Sequence, residues 1–235
     1  MIIAFEGIDG AGKSTAALAL SAQLTKRRIE NVLVQSASFT GDDDDDRDED
    51  DDASQDNETV QKLWTLRDTL EETFGPRALC LSNAWEFAFR WEGLAIPSLE
   101  AGKLIIADRY TDTAMVREVL RGIDADYIRS VYSFVPPPDL VLHLDIAPEL
   151  AFRRKVDAGM EIGYFEAGRD VVRGARSTRM SFIAFQEKCR ARYHEILARE
   201  NVVEIDASRK PAEVQEAVVE AVLLRLKLPK GRSRK

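Results

Sequence analysis

Residues Gly7-Ile8-Asp9-Gly10-Ala11-Gly12-Lys13-Ser14 match G-x-x-x-x-G-K-[ST], and this segment constrains the fold more than any other part of the chain. The pattern needs a strand before it and a helix after it. Both are written here: Ile2-Ile3-Ala4-Phe5 is a short apolar run, and Ser14 to Leu24 is rich in alanine and leucine, with the leucines spaced as a stripe. Glycines let the backbone curl until successive N–H groups point inward, and the start of the helix adds positive potential. A loop built in this way cradles phosphate. The nucleotide-binding candidates are therefore Gly7, Ile8, Asp9, Gly10, Ala11, Gly12, Lys13, Ser14 and Thr15, with Lys13 expected to reach the β- and γ-phosphates and Ser14 to ligate Mg²⁺.

Four more apolar runs read as buried strands: Val32-Leu33-Val34, Leu104 to Asp108, Leu140 to Asp145 and Val202 to Ile205. Helices are predicted at Val60 to Phe74, Arg77 to Gly93 and about Pro211 to Leu226. Strands alternating with helices imply parallel pairing with both faces covered, so the fold class is α/β. A chain of 235 residues with 45% hydrophobic content can bury one full core, and residues 1–228 are read as a single domain.

Net charge of −8 is the sum of unlike segments. Residues 41–58 carry twelve acids against Arg47 alone, a net of −11, so the rest of the chain is +3. Nine aspartates between Asp42 and Asp52 repel one another, and a disordered acidic loop is expected at about 41–58. Residues 229–235 form a basic tail, which alone speaks for nucleic acid, and nucleic acid is set aside as a partner. The two cysteines, Cys80 and Cys189, lie far apart without metal-ligand spacing, which argues against a disulfide scaffold and for a reducing cytoplasm. No run approaches the roughly 20 apolar residues of a membrane span and no signal peptide is visible, so a soluble, unprocessed protein is expected.

A phosphate-binding loop fixes nucleoside triphosphate binding but not the reaction. A GTPase would carry N-K-x-D after a later strand, and none occurs; motor ATPases are larger. A small kinase needs a carboxylate at the end of a neighbouring strand and arginines around the transferring group. Asp108-Arg109-Tyr110 follows its strand directly, so Asp108 is a candidate to hold Mg²⁺ with Ser14 and Arg109 to bridge donor and acceptor phosphates. Arg169, Arg173, Arg176 and Arg179 occupy a Gly-containing stretch at spacings of four, three and three, read as a lid at about 159–180 that folds over the triphosphate. His143 and His194 are read as packing or surface residues.

Phe5 to Thr15 strongly resembles the opening of the thymidylate kinase family, as do Asp108-Arg109-Tyr110, Pro138 to Glu149 and Phe185 to Tyr193, in the family's order. The resemblance implies a P-loop kinase fold with a five-stranded parallel sheet flanked by helices, commonly a homodimer, moving the γ-phosphoryl of ATP to dTMP with Mg²⁺. It also implies a catalytic arginine in the loop or in the lid. The loop offers none, so one of Arg169, Arg173 and Arg176 is expected to act. By the same resemblance Asp9 contacts the acceptor and Asp206 lies near adenine; Arg77, Asn83, Tyr110 and Arg117 are further candidate acceptor contacts.

The acceptor side departs from the family pattern. Ser38-Phe39-Thr40-Gly41 stands where an arginine would grip the acceptor phosphate, and Cys80 and Ala84 align with the base-stacking phenylalanine and its arginine. Arg77, Arg90 or Arg117 could replace the cation. Three readings stay open: a dTMP kinase, a diverged kinase for a modified nucleotide, nucleoside or other hydroxyl acceptor, and an ATP-binding regulator without turnover.

Overall fold

The computed structural model describes residues 1–35 and 75–228. The acidic run at 41–58, the helix predicted at Val60 to Phe74, the Ser38–Gly41 segment and the tail at 229–235 lie outside them. Five strands form one parallel sheet: β1 (Ile2–Glu6), β2 (Asn31–Val34), β3 (Leu104–Asp108), β4 (Leu140–Asp145) and β5 (Val202–Asp206), in the order β2-β3-β1-β4-β5. β1, β3 and β4 are apolar and buried almost end to end, as strands covered on both faces must be. The chain crosses from β1 over β3 to β2 on one side and reaches β4 on the other, so the order reverses beside β1. The crevice at the carboxyl end of such a reversal is where open α/β sheets bind ligands.

Helix α1 (Lys13–Lys26) follows β1 and buries Ala16, Ala17, Leu20 and Leu24 against the sheet. Helix α2 (Pro76–Arg90) starts with proline in its first turn, where the missing N–H is no loss. It continues as a wide π turn (Trp91–Ala95) into a short α3 (Ile96–Glu100). Pro97 has no N–H to give and would collide with the carbonyl a turn earlier, and the widened turn makes room for it. Helices α4 (Thr111–Leu120) and α5 (Ala125–Val131) follow β3, and α6 (Pro148–Asp157) follows β4. The long α7 (Thr178–Ile196) is capped by the Ser177 hydroxyl, which accepts from Met180 N–H at 3.2 Å. α8 (Pro211–Arg225) closes the fold.

The main core wraps the sheet, while Cys80, Ala84, Ala114, Ile123, Ile128 and Tyr132 make a smaller one among α2, α4 and α5. Gly7 holds φ +140°, and a Cβ there would sit 2.5 Å from the Leu144 carbonyl oxygen. Only glycine lets the chain leave β1 so close to β4. Among the described residues no helix is long and apolar enough to cross a membrane.

Candidate active site

The P-loop ends with Gly12 in the left-handed conformation at the cap of α1. Lys13 is buried and its Nζ donates to the Gly7 carbonyl at 3.0 Å and the Ile8 carbonyl at 2.7 Å, folding the side chain along the loop. Burial, reinforced by the Arg109 charge, pushes its pKa down to about 7. At the mouth of the loop the Ser14 hydroxyl donates to Asp108 Oδ2 at 2.5 Å. The other Asp108 oxygen, Oδ1, is buried with no hydrogen-bond partner. A hydroxyl and a carboxylate with a spare buried oxygen are hard oxygen donors of the type Mg²⁺ takes, so this pair fits that ion.

Beside the loop stands a second charged group. Asp9 is buried, and the guanidinium groups of Arg109 and Arg117 both pair with it. Gln186 on α7 completes the shell, donating through Nε2 to Asp9 Oδ2 at 2.8 Å and accepting from Asp9 N–H at 3.2 Å. Burial alone would raise the Asp9 carboxyl, but Arg117, Arg109, Lys13 and Lys155 hold it well below the usual carboxylate range. Arg109 takes a left-handed φ of 73° directly after β3, a conformation that costs a non-glycine residue free energy and turns its side chain back to the loop.

Glu6, fully buried at the end of β1, holds that turn in place. It accepts from the backbone N–H of Tyr110 and Thr113 at 3.0 and 3.1 Å, from the Thr113 hydroxyl at 2.6 Å and from the Tyr193 hydroxyl at 3.1 Å. Burial, with the Asp112 charge behind it, raises its pKa to about 7.

The P-loop, α2, α4 and the stretches after α6 and β5 enclose a cleft of about 730 Å³. Asp9 to Thr15 border it, together with Asn83, Asp108, Arg109, Tyr110 and Arg117. Gly7 and Ile8 lie behind it, where their carbonyls hold Lys13. Arg77, in the exposed first turn of α2, does not border the cleft. Asp206 is exposed at the end of β5 and accepts from Ser208 N–H, while its neighbours Ala207 and Arg209 do border the cleft.

The lid arginines stand elsewhere than expected. Arg169, Arg173, Arg176 and Arg179 are all exposed, Arg169 donates to the Thr178 hydroxyl at 2.6 Å, and none of the four borders the cleft. The stretch before α7 is a chain of turns rather than a helix, so the four, three, three spacing selects no common face. Instead Arg90, Arg121 and Arg154 border the cleft. Arg121 donates to Asp170 Oδ2 at 2.6 Å, and Arg154 donates to the carbonyls of Ala207 and Arg209 at 2.8 and 3.2 Å.

On α2 the residues aligned with the family's aromatic and cation prove to be core: Cys80 and Ala84 are buried in the small cluster. The cleft faces Asn83 and Phe87 instead, three residues further on at the same spacing of four. Asn83 donates to Glu118 Oε1 at 3.1 Å, and Phe87 packs edge-on to Tyr110 and Tyr132.

Sequence reasoning missed the supporting roles of Glu6, Gln186, Arg121 and Arg154. Glu6 did leave a signal, an acid closing an apolar strand just before a glycine loop. The other three hydrogen-bond to partners between 20 and 177 positions away, which no local pattern encodes.

The sequence model of the thymidylate kinase family matches residues 67–218. A probable thymidylate kinase 2 of Saccharolobus solfataricus is 30% identical over 221 residues, covering 92% of each chain. A thymidylate kinase of Chlorobaculum parvum is 27% identical and a probable thymidylate kinase of Pyrobaculum aerophilum 26% identical, each covering 94% of this chain and 95% of its own.

Proposed function

The chain belongs to the thymidylate kinase family, and from that premise we propose that this nucleotide kinase moves the γ-phosphoryl group of ATP to dTMP. The observation that carries the reading is the placement of Asp9, with Arg109 and Arg117 drawn to it, in the same cleft as Lys13 and the Ser14–Asp108 pair. Two cationic groups stand between a phosphate cradle and an open pocket, where a second phosphate would meet the first.

Phosphoryl transfer depends on positioning and charge more than on covalent chemistry. The inward N–H groups of the loop and the Lys13 ammonium would bind the triphosphate, drawing Lys13 from the carbonyls that now hold it. Ser14 and Asp108 would hold Mg²⁺, which neutralises charge on the phosphates when bound. Arg109, fixed by the strained turn on Glu6, and Arg117, fixed on Asp9, would orient the acceptor phosphate and offset charge that builds between the two nucleotides. Arg154 braces the loop after β5 that walls the far end of the cleft. The reading carries a homodimer with it by family, and two free buried cysteines suit the cytoplasm.

A second reading is favoured by the α2 wall. With Asn83 and Phe87 facing the cleft beside the buried acids Glu86 and Glu118, a kinase for a different nucleotide or hydroxyl acceptor fits the same donor half. The test is acceptor-dependent ADP release with Mg²⁺ and ATP across dTMP, the other nucleoside monophosphates, free nucleosides and amino sugars. Fastest turnover with dTMP is the expected result. Turnover confined to another acceptor overturns dTMP and keeps the kinase; none with any acceptor overturns both.

A further inference from the structure

On the far side of β4 from the P-loop, two histidines and a glutamate converge. His143 on β4 and Glu204 on β5 are register partners, so their side chains leave the sheet side by side on one face. Helix α7 crosses that face and lowers His194 beside them. Glu204 Oε2 lies 3.5 Å from His143 Nδ1 and 3.3 Å from His194 Nδ1, and one donor atom from each of the three residues lies within 4.8 Å of the others. None of the three borders the cleft.

We propose that His143, His194 and Glu204 bind one zinc-type divalent transition-metal ion, with water completing a four-coordinate shell. The spacing supports this. Bonds of about 2.0–2.1 Å to nitrogen and oxygen make a tetrahedron whose edges are about 3.3–3.4 Å, close to the 3.5 and 3.3 Å found along the two His–Glu edges. Imidazole nitrogens select such ions over Mg²⁺, so the site is chemically distinct from Ser14 and Asp108.

The surroundings are those of a ligand site. Asp145 Oδ1 faces the other nitrogen of His194 at 3.3 Å, and Arg190 clamps that carboxylate with two bonds of 2.7 and 2.6 Å, an outer carboxylate of the kind that orients a metal-bound imidazole. His143 is 2% exposed and packs against the Tyr193 ring in a tilted arrangement with centroids 5.5 Å apart, while Glu204 and His194 open to solvent and leave a path for the ion and its water.

The experiment uses the untagged, metal-stripped full chain. Zn²⁺ affinity is measured by competition with a chromophoric chelator in excess Mg²⁺, and Co²⁺ is added as a spectroscopic substitute. The expected result is one equivalent of Zn²⁺ that Mg²⁺ does not displace, with the strong visible absorption of four-coordinate Co²⁺. His194→Ala and Glu204→Gln should each weaken that equivalent by at least about 10-fold, the lower bound for disturbing a metal's surroundings. Both residues are exposed, so these variants should fold, and Zn²⁺ should raise the melting temperature of the wild type more than theirs. No stoichiometric Zn²⁺, or an equivalent that survives in both variants, overturns the site. Weak six-coordinate Co²⁺ absorption unchanged in both variants also overturns it, by assigning the ion to oxygen ligands such as the aspartates at 42–52.

Discussion

The donor wall of the cleft and its acceptor wall are made from different materials. From Asp9 to Thr15 the donor wall is a contiguous curl of backbone, with Lys13 laid against its own loop carbonyls. On the acceptor wall the charged groups are steered by other side chains: Arg109 and Arg117 by Asp9, Asn83 by Glu118, Arg121 by Asp170. Backbone N–H groups are present whatever the residue, so a wall made of them shows as one short motif and tolerates little rearrangement. A wall made of paired side chains is spread over the sequence and can be rebuilt one pair at a time. The motif from Gly7 to Ser14 is a wall of the first kind, and the pairs made by Arg109, Arg117, Asn83 and Arg121 form one of the second.

If the two walls are separable, damage to each should appear in a different kinetic constant. Lys13→Ala should lower kcat by about 10²–10³-fold, as loss of a charge-stabilising donor does, with the acceptor KM held. A rise in acceptor KM of the same size would break the separation. Arg117→Met should raise the acceptor KM by about 10–100-fold, the equivalent of a charge-assisted hydrogen bond worth about 1.5–3 kcal/mol, with the ATP KM unchanged. Steady-state kinetics with each substrate varied in turn reads both.

A third variant probes the brace that joins the walls. Glu6 has its pKa raised from 4.5 to about 7 in the folded chain, so the folded state holds a proton that the unfolded state has lost across that window. Its favourable contribution is present below pH 4.5 and is lost as pH rises to about 7, a loss of about 3 kcal/mol. Glu6→Gln removes the titration while keeping an accepting oxygen. The melting temperature of the variant relative to wild type should therefore climb by roughly 5–10 °C between pH 4.5 and 7 and then level off. A difference that stays flat with pH would show that Glu6 is ionised throughout. The smallest effect is expected at Arg154→Ala, which loses only neutral carbonyl partners: the ATP KM should rise about 2–10-fold, with the acceptor KM untouched.

The strands and the P-loop were legible because burial on both faces writes a near-continuous apolar run, and a phosphate cradle needs glycines at fixed offsets. Met160, Glu161 and Gly163 to Glu166 of the expected lid stretch do line the cleft, and its arginines stand away from it for a physical reason. Gly168 at φ 63° packs so tightly on Phe185 that a Cβ would fall 2.1 Å from its ring, and Gly174 turns the chain again at φ 79°. Helical spacing has no meaning between two such turns, and the arginines splay into solvent. On α2, Cys80 and Ala84 are small enough for the core, while Asn83, a candidate acceptor contact from the sequence, meets the cleft together with Phe87. His143 and His194 read singly as packing or surface residues; only the register of β4 with β5 and the crossing of α7 bring them to one carboxylate.

Helix α7 has a consequence for motion. Gln186 holds Asp9 in the P-loop, Arg190 holds Asp145 at the end of β4, and Tyr193 holds Glu6 at the end of β1. From Gln186 to Tyr193 is two helical turns, about 10 Å of rigid rise. The rod acts as a splint whose three pegs sit in three separate holes, so it cannot slide by a fraction of a turn without leaving all of them. Fluctuations of the loop are thereby tied to fluctuations of the helix, and the phosphate cradle opens only when a whole cooperative unit does.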